Sequence, residues 1–348
     1  MNRSPRPYVV LVLAVLATLG GLPGAPEAAA APRPTAVVVL GDSAASGDGA
    51  GSYQAGTRGE GGNWCHRSAR AYVYRTGLAA ESVNLACSGA KAVDVGFGAP
   101  GHYTEGSQAA RLVEVARRYR VETVVLQVGA NDEAALVETG IACIVAFLDR
   151  ARPPCRETIG PLVAPRMAGA ARAVEAAVRD VREAMHRASY TEGAYALVLT
   201  SYAAPITERM VPLAGVQGCP YRREDAGWGR TVLFPALSAA LRGVAERAGT
   251  RYLDLTQAAE GREACSRPVA AQEWQRRITV DPKAFVHGGL DAVGYHLAQE
   301  SFHPNAAAHA ELGRCLGDFV RSGAGAAACV PGTDGRLRLE RGATAAPV

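Results

Sequence analysis

Ser43 is the first residue of this chain whose type and position could support chemistry. Residues 37–40 are four consecutive apolar residues, three of them valines, and indicate a buried strand that Gly41-Asp42-Ser43 then interrupts with turn-forming residues. Loops at the carboxyl end of a parallel sheet form ligand crevices, so a serine placed there is a candidate nucleophile. An isolated Gly-Asp-Ser is more often only a turn, and the assignment therefore depends on partners elsewhere in the chain.

A serine hydroxyl needs a base, and histidine has the side chain whose unperturbed pKa suits that role near neutrality. Among seven histidines, His303 is distinguished by its loop near the end of the folded chain, where Pro304 follows it and a helix is predicted next. His309 lies farther along that helix, where we expect a surface or capping side chain. His303 is therefore the predicted general base.

A tetrahedral intermediate also needs hydrogen-bond donors for its oxyanion, and Gly89 and Asn131 are the candidates. Each follows an apolar run that predicts a strand, at residues 82–86 before the glycine and at residues 121–128 before the asparagine. The carboxyl ends of parallel strands meet at one edge of a sheet. Both residues can therefore lie beside Ser43.

Alternating strands and helices are expected to position these residues. Apolar runs predict strands at residues 37–40, 82–86, 121–128, 195–200 and 251–255. Helical patterns follow at residues 68–77, 108–119, 165–189, 232–248 and 306–319. Such alternation predicts an α/β fold with a mostly parallel sheet that is covered on both faces.

Four sequence blocks support a more specific interpretation. In chain order they are Gly41-Asp42-Ser43, Gly89, Gly129-Ala130-Asn131-Asp132 and Ser301-Phe302-His303-Pro304. On these blocks the chain resembles the SGNH (GDSL-type) hydrolase family over about residues 37–313, and its early cysteines resemble those of the secreted actinobacterial esterases and lipases of that family. The resemblance implies a flavodoxin-like three-layer α/β/α sandwich of about five strands. It also implies a serine hydrolase that cleaves carboxylic esters through an acyl-enzyme intermediate.

The resemblance implies a role for each candidate residue. Ser43 would be the nucleophile and His303 the general base and acid, with an oxyanion hole formed by the backbone amides of Ser43 and Gly89 and the side chain of Asn131. The third triad position departs from the pattern, because many members carry an aspartate where this chain has Glu300. Two alternatives stay open: the Glu300 carboxylate orients the imidazole, or a backbone carbonyl of Glu300 or Ser301 does.

The amino-terminal segment, residues 1–31, is expected to be a cleaved signal peptide. Two arginines precede an apolar stretch at residues 9–22, which is shorter than the ~20 residues of a membrane span, and a run of small residues follows. The protein is therefore predicted to be secreted, without a stable membrane anchor after cleavage. We expect one hydrolase domain at residues 32–329 and a flexible C-terminal tail at residues 330–348.

The chain has eight cysteines, and an even number of cysteines in an exported chain predicts disulfides. Loop closure favours neighbouring partners and gives the pairs Cys65–Cys87, Cys143–Cys155, Cys219–Cys265 and Cys315–Cys329. The chain has neither the Cys-x-x-Cys nor the His-Glu-x-x-His spacing of a zinc site. No metal site is therefore predicted.

Other functional classes find little support in the composition. The net charge of +4 is scattered and gives no basic patch for nucleic acid, and the glycine-rich run at residues 47–51 lacks the lysine of a phosphate-binding loop. No cofactor is therefore predicted, and we expect a monomer that acts on an ester substrate. A non-catalytic binding protein that keeps the fold is a further alternative, but a serine, an asparagine and a histidine retained together argue against it.

Lipid or phospholipid esters are the first substrate class that the resemblance implies, and acetylated polysaccharide is the second. Loops at residues 47–62, 98–107, 213–230 and 264–296 are long enough to shape a pocket. Aromatic residues in or beside these loops either line the pocket or anchor their own loop: Tyr53, Trp64, Tyr221, Trp228, Trp274 and Phe285.

Overall fold

Seven strands form one sheet in the computed structural model, which describes residues 32–98, 101–288 and 296–342. The strands are β1 (Thr35–Gly41), β2 (Glu81–Asn84), β3 (Arg120–Gln127), β4 (Ala196–Thr200), β5 (Arg251–Asp254), β6 (Ala326–Pro331) and β7 (Leu337–Arg341). The helices are α1 (Ser43–Ser46), α2 (Ala92–Val95), α3 (Gln108–Arg118), α4 (Leu136–Leu148), α5 (Cys155–Ile159), α6 (Val163–Arg187), α7 (Arg223–Trp228), α8 (Phe234–Ala248), α9 (Lys283–Gly288) and α10 (Ala306–Arg321). A π-helical turn, Gly229–Leu233, joins α7 to α8.

The strand order is β2-β1-β3-β4-β5-β6-β7, and neighbouring strands are parallel except for the last pair. The first five strands follow the flavodoxin-like order, which confirms the predicted fold class. The order reverses at β1, which lies between β2 and β3, and the crevice of such sheets forms at this point. Ser43 follows β1 directly. The expected count of five strands was wrong, because β6 and β7 extend the sheet to seven.

Strand β1 is buried on both faces, as its run of apolar residues predicts. Val38 and Leu40 pack into the same cluster as residues of α3, α6 and α8. Val37 and Val39, which point to the opposite face, pack with residues of α10. Successive side chains of a strand alternate between faces, so one short valine-rich segment contributes to two hydrophobic layers. The result is the three-layer arrangement that holds Ser43 at the edge of the central sheet.

The prediction of a flexible tail from residue 330 onward was wrong for residues 330–342, which include the end of β6 and the whole of β7. Val330 and Pro331 complete β6, and β7 pairs with β6 in antiparallel register. Leu337 is only 2% exposed, and its backbone amide donates to Glu311 Oε2 on α10 at 2.9 Å. The edge of the sheet is therefore closed by a strand that packs on a helix. The remaining tail, residues 343–348, lies outside the described residues.

We expect Leu337→Ala to lower the free energy of unfolding by about 2 to 4 kcal/mol, because it leaves a cavity in a packed layer. Leu339, two residues along β7 and half-buried, is the matched control, and its alanine variant should lose clearly less. Urea unfolding of the two variants measures the difference. Equal and negligible losses would mean that β7 does not contribute to the folded core.

All four disulfides join the predicted partners: Cys65–Cys87, Cys143–Cys155, Cys219–Cys265 and Cys315–Cys329. The helix predicted at residues 68–77 was wrong, because only Tyr72–Arg75 form a short 3₁₀ turn there. His309 is fully buried rather than a surface side chain. The predicted signal peptide, residues 1–31, lies outside the described residues, and none of the helices within the described ranges is long and apolar enough to cross a membrane.

Candidate active site

The turn after β1 fixes the backbone of Ser43. Gly41 has φ +144°, and a Cβ there would lie 1.9 Å from the carbonyl oxygen of Gln127, so only glycine fits beside β3. The Gln108 side chain holds the same residue, accepting from its amide and donating to its carbonyl at 2.8 Å each. Asp42 then caps α1 by accepting from Ala44 N at 3.1 Å. The serine is thereby placed at the start of a helix with its side chain largely buried.

The His303 ring lies between Ser43 and a main-chain carbonyl. Its Nε2 is 2.7 Å from Ser43 Oγ, and its Nδ1 is 3.0 Å from the carbonyl oxygen of Ser301. A carbonyl only accepts hydrogen bonds, so in the neutral ring Nδ1 carries the proton and Nε2 is the free base facing the hydroxyl. This is the arrangement that proton removal from a serine requires.

Backbone hydrogen bonds with the segment before α9 hold the His303 loop in position. The Arg276 amide donates to the His303 carbonyl at 2.9 Å, and the Phe302 amide donates to the Arg276 carbonyl at 3.1 Å. Asn305 then begins α10, and its side chain accepts from two amides of the first turn. Phe302 has φ +60°, a conformation that bulky residues rarely adopt outside functional loops. The loop is therefore held in one shape on both sides of the imidazole.

The Glu300 carboxylate contacts two arginines rather than the His303 ring. This carboxylate lies 3.7 Å from Arg58 Nη2 and 3.5 Å from Arg276 Nε, and the side chain is almost completely buried. Of the two alternatives left open by the sequence, the Ser301 carbonyl is the one within hydrogen-bond distance of His303 Nδ1. The carboxylate instead neutralises two arginines that hold the surrounding loops.

We expect Glu300→Gln to keep kcat within about 3-fold of the wild type, because the group that holds the imidazole is a main-chain atom. The melting temperature should fall slightly as the arginine pairs weaken. Initial rates with a soluble ester, together with thermal unfolding, provide the test. A loss near 10⁴-fold, typical of a triad carboxylate, would assign the orienting role to Glu300 instead.

The two remaining candidates, Gly89 and Asn131, lie near each other at the ends of β2 and β3. Gly89 has φ +79°, and a Cβ there would lie 3.2 Å from His102 Nε2. Asn131 donates from Nδ2 to the carbonyl of Ala90 at 3.1 Å, which ties the two strand ends together. A primary amide has a second hydrogen, and Asn131 lines the same cavity as Ser43 and His303. Asn131 is therefore placed to donate to an oxyanion, whereas Gly89 is not among the residues that line the cavity.

A cavity of about 540 Å³ opens beside Ser43, Asn131 and His303. Its other lining residues are mostly apolar and include Leu136, Val137, Ile141, Ile144, Ile206, Tyr221, Trp228, Leu233, Phe234, Ile278 and Phe302. Of the aromatic residues considered from sequence, Tyr221 and Trp228 line the cavity. Tyr53 and Trp64 pack against His66 instead, Trp274 belongs to the core, and the Phe285 side chain lies outside the described residues.

Helix α4 supplies much of this lining and was not predicted. Its sequence, LVETGIACIVAFL, is apolar almost throughout, and Ile141, Val145 and Leu148 are exposed at intervals of four and three residues. A helix that shows apolar residues on its outer face has no amphipathic period, so the pattern used to find helices fails here. Its length and apolar character were the signals available.

Asp42 is the most strongly perturbed acid next to Ser43. Burial raises the pKa of Asp42 to about 7, although Tyr202 Oη donates to its carboxylate at 2.5 Å and Ala44 N donates at 3.1 Å. The carboxyl group is directed at these two partners, so we assign it to holding the turn. Burial also raises the pKa of Asp132 to about 6, although the Ala92 amide donates to its carboxylate at 3.0 Å and so lowers the pKa in part.

We expect wild-type stability to fall with rising pH relative to Asp42→Asn. The folded acid keeps its proton up to about pH 7, whereas an unfolded aspartate ionises from 3.8, so the folded state loses up to about 4 kcal/mol across that window. An asparagine resembles the protonated acid and does not titrate. Urea unfolding at pH 4, 6 and 8 measures the difference between the two proteins. Parallel pH profiles would contradict the prediction.

No group of three or more His, Cys, Asp or Glu side chains in the described ranges is arranged to hold a metal ion.

Comparison with known proteins bears on this site. Residues 39–311, which include all the candidate residues, match the GDSL-like lipase/acylhydrolase family. The chain belongs to that family. As a GDSL-like lipase/acylhydrolase it is a carboxylic ester hydrolase. No curated protein matches the chain.

Two solved structures are similar to this GDSL-like hydrolase. One is an extracellular lipase from Streptomyces rimosus, with 20% identity and a TM-score of 0.52, covering 83% of this chain and 100% of the lipase. The other is phospholipase A1 from Streptomyces albidoflavus NA297, with 20% identity and a TM-score of 0.50, covering 84% of this chain and 100% of the phospholipase. At this level of identity the likeness supports the shared fold.

Proposed function

We propose that the protein is a serine esterase that cleaves esters with an apolar acyl chain through an acyl-enzyme intermediate. The observation that carries the proposal is the contact of Ser43 Oγ with His303 Nε2 at 2.7 Å, at the wall of an apolar cavity of about 540 Å³. The hydroxyl is activated by the base, and the cavity is of a size that holds a small-molecule ligand.

The proposed reaction has two steps. Ser43 Oγ attacks the ester carbonyl carbon while His303 Nε2 takes the hydroxyl proton, and the resulting oxyanion is stabilised by the amides of Ser43 and Gly89 and by Asn131. Collapse of the intermediate breaks the bond to the alcohol oxygen, which receives the proton from His303. Water activated by the same imidazole then releases the carboxylic acid and restores the serine.

The cavity lining favours lipid esters over acetylated glycans. Each methylene that enters an apolar pocket contributes about 0.8 kcal/mol, or roughly a 4-fold increase in kcat/KM. An acetyl group would leave most of the apolar lining without contacts, whereas an acyl chain of eight or more carbons would fill it. Ile141 and Ile278 line the cavity and are also partly exposed, which extends the apolar surface to its mouth.

The experiment is a series of nitrophenyl esters from acetate to palmitate, with Ser43→Ala as the control. We expect kcat/KM to rise at least 100-fold from acetate to octanoate, and the control to be inactive at every length. Selective hydrolysis of acetate and acetylated xylan would instead identify an acetyl esterase. No serine-dependent release from any ester would overturn the enzyme proposal.

We also propose that the mature protein is exported and monomeric. The apolar amino-terminal segment followed by small residues supports export, and four disulfides support an oxidising compartment. Mass spectrometry of the protein from the culture medium tests cleavage near residue 31. Size-exclusion chromatography with light scattering tests the monomer.

A further inference from the structure

A buried ion pair, Asp48 with His66, lies outside the contacts of the proposed reaction. Both side chains are fully buried, and His66 Nδ1 donates to Asp48 Oδ1 at 3.1 Å. Burial by itself would raise the pKa of Asp48, but the charge and hydrogen bond of His66, with smaller contributions from the charge of His303 and the hydrogen bond of Ser88, outweigh it and hold the pKa at about 2. Burial opposes the charge on His66 as well, yet Asp48 raises its pKa. A charged pair inside a protein is costly unless further hydrogen bonds satisfy it, so its other partners are informative.

One further partner belongs to the oxyanion loop. Ser88 donates from Oγ to Asp48 Oδ2 at 2.7 Å, and Ser88 immediately precedes Gly89, whose amide is the proposed oxyanion donor. The disulfide Cys65–Cys87 joins the residues that flank this contact, since Cys65 precedes His66 and Cys87 precedes Ser88. The Ser88 amide also donates to the carbonyl of Cys65 at 3.1 Å. The Asp48 carboxylate therefore contacts His66 and Ser88, which belong to two segments that the disulfide Cys65–Cys87 joins.

Tyr53 Oη also donates to Asp48 Oδ1, at 3.5 Å. A further partner belongs to the loop that supports the base. The Gly49 amide donates to Asp48 Oδ1 at 3.0 Å. Gly49 packs directly on the imidazole loop, because a Cβ there would lie 2.9 Å from both His303 Cβ and the carbonyl oxygen of Pro304. Arg276 closes the connection, donating from its amide to the His303 carbonyl at 2.9 Å and from Nε to the carbonyl of Gly49.

We propose that Asp48 is a positioning residue, which holds the Gly89 amide and the backbone against His303 in their reactive geometry through one ionised carboxylate. His66 keeps that carboxylate ionised. The proposal rests on the proposed function, because it assigns the oxyanion and base roles to Gly89 and His303. Charge-assisted hydrogen bonds are short and directional, and catalysis depends on donors that are already oriented when the oxyanion forms. The Asp48 amide donates to the Ser43 carbonyl at 3.1 Å, but neither the Asp48 carboxylate nor the His66 ring forms a hydrogen bond with Ser43 Oγ or the His303 ring, so we assign the two side chains an action through the two loops.

The variant that tests the proposal is Asp48→Asn, which keeps the shape but replaces one acceptor oxygen by a donor. We expect kcat to fall about 10- to 100-fold with KM within 3-fold, because the transition state loses contacts that the ground state does not make. The inhibition constant of an alkylboronic acid, whose serine adduct mimics the tetrahedral intermediate, should rise by the same factor as kcat/KM falls.

Two further variants separate positioning from stability. Ser88→Ala keeps the ion pair but removes its link to the oxyanion loop, and it should lower kcat about 10-fold with a parallel rise in the boronic acid constant. Glu263→Gln is the control, since this carboxylate is equally buried and lies 3.5 Å from Arg209, and it should change the melting temperature without changing kcat.

The outcomes distinguish this proposal from the proposed function. A wild type without esterase activity would overturn the function itself. The positioning role alone would be overturned if the wild type is active and the Asp48→Asn and Ser88→Ala variants keep full kcat. A rise in KM without a fall in kcat would overturn it as well. If Asp48→Asn does not fold, Ser88→Ala decides by the same criterion.

Discussion

Ser43→Ala and His303→Ala are each expected to lower kcat by about 10⁵- to 10⁶-fold, and the double variant is expected to lose little more. The nucleophile and its base act as one unit, joined by the 2.7 Å contact between Oγ and Nε2, so removing either leaves only the oxyanion donors and the binding of the acyl chain. The measurement is kcat with a long-chain nitrophenyl ester. Ester binding by the Ser43→Ala variant should persist, because the apolar cavity is unchanged.

His309 offers a matched control for this prediction. It is fully buried, burial lowers its pKa to about 4, and its Nδ1 accepts from the Tyr72 amide at 3.2 Å. A neutral, structural histidine of this kind can be replaced by glutamine with most of the activity retained. If His303→Ala kept more than a tenth of the wild-type rate while His309→Gln lost it, the base would have been misassigned.

Asn131→Ala is expected to lower kcat by about 10²- to 10³-fold with little change in KM, which corresponds to the loss of one oxyanion donor. The amide has one hydrogen bond to the Ala90 carbonyl and one hydrogen left for the oxyanion, so the variant also loosens the link between β2 and β3. Asn131→Asp keeps the size of the side chain but places negative charge where the oxyanion forms, and it should be at least as severe.

Thermal unfolding separates the two effects of Asn131. A small change in melting temperature together with a large loss of kcat supports an oxyanion role. The prediction fails if Asn131→Ala retains a third of the wild-type kcat, since a donor that contacts the developing charge cannot be removed at so small a loss.

The strands at the centre of the sheet were accessible from sequence because β1, β3 and β4 are buried along most of their length. A segment such as residues 37–40 has no polar position, and the turn residues after it mark where the chain leaves the sheet. Strand β6 lacks this signal, because it begins with three alanines and has no β-branched run. Strand β7 has the short sequence LRLER, in which charged residues outnumber the two leucines, and its place near the end of the chain favoured a solvated tail.

The sequence indicates those candidate site residues whose proposed role depends on the side chain. Ser43 and Asn131 are recognisable by type and by their place after strands, and His303 by type and by its loop before a helix; the structure brings all three to one cavity. The partner of His303 Nδ1 is a main-chain carbonyl, and every residue has one, so sequence could only offer Glu300 or a carbonyl as alternatives. The Asp48–His66 pair was missed for another reason, since its two residues belong to a loop without periodicity and meet only in the fold.

The main-chain partner of His303 has an evolutionary consequence. A carboxylate that orients an imidazole disappears with a single codon change, whereas the Ser301 carbonyl is retained whichever amino acid occupies that position. Mutations can reach this hydrogen bond only by changing the path of the loop, through residues such as Phe302 with its positive φ or Pro304 before α10. Substitution at position 301 therefore leaves the acceptor itself in place, and selection should act on the residues that give the loop its shape, Glu300 among them through its arginine pairs.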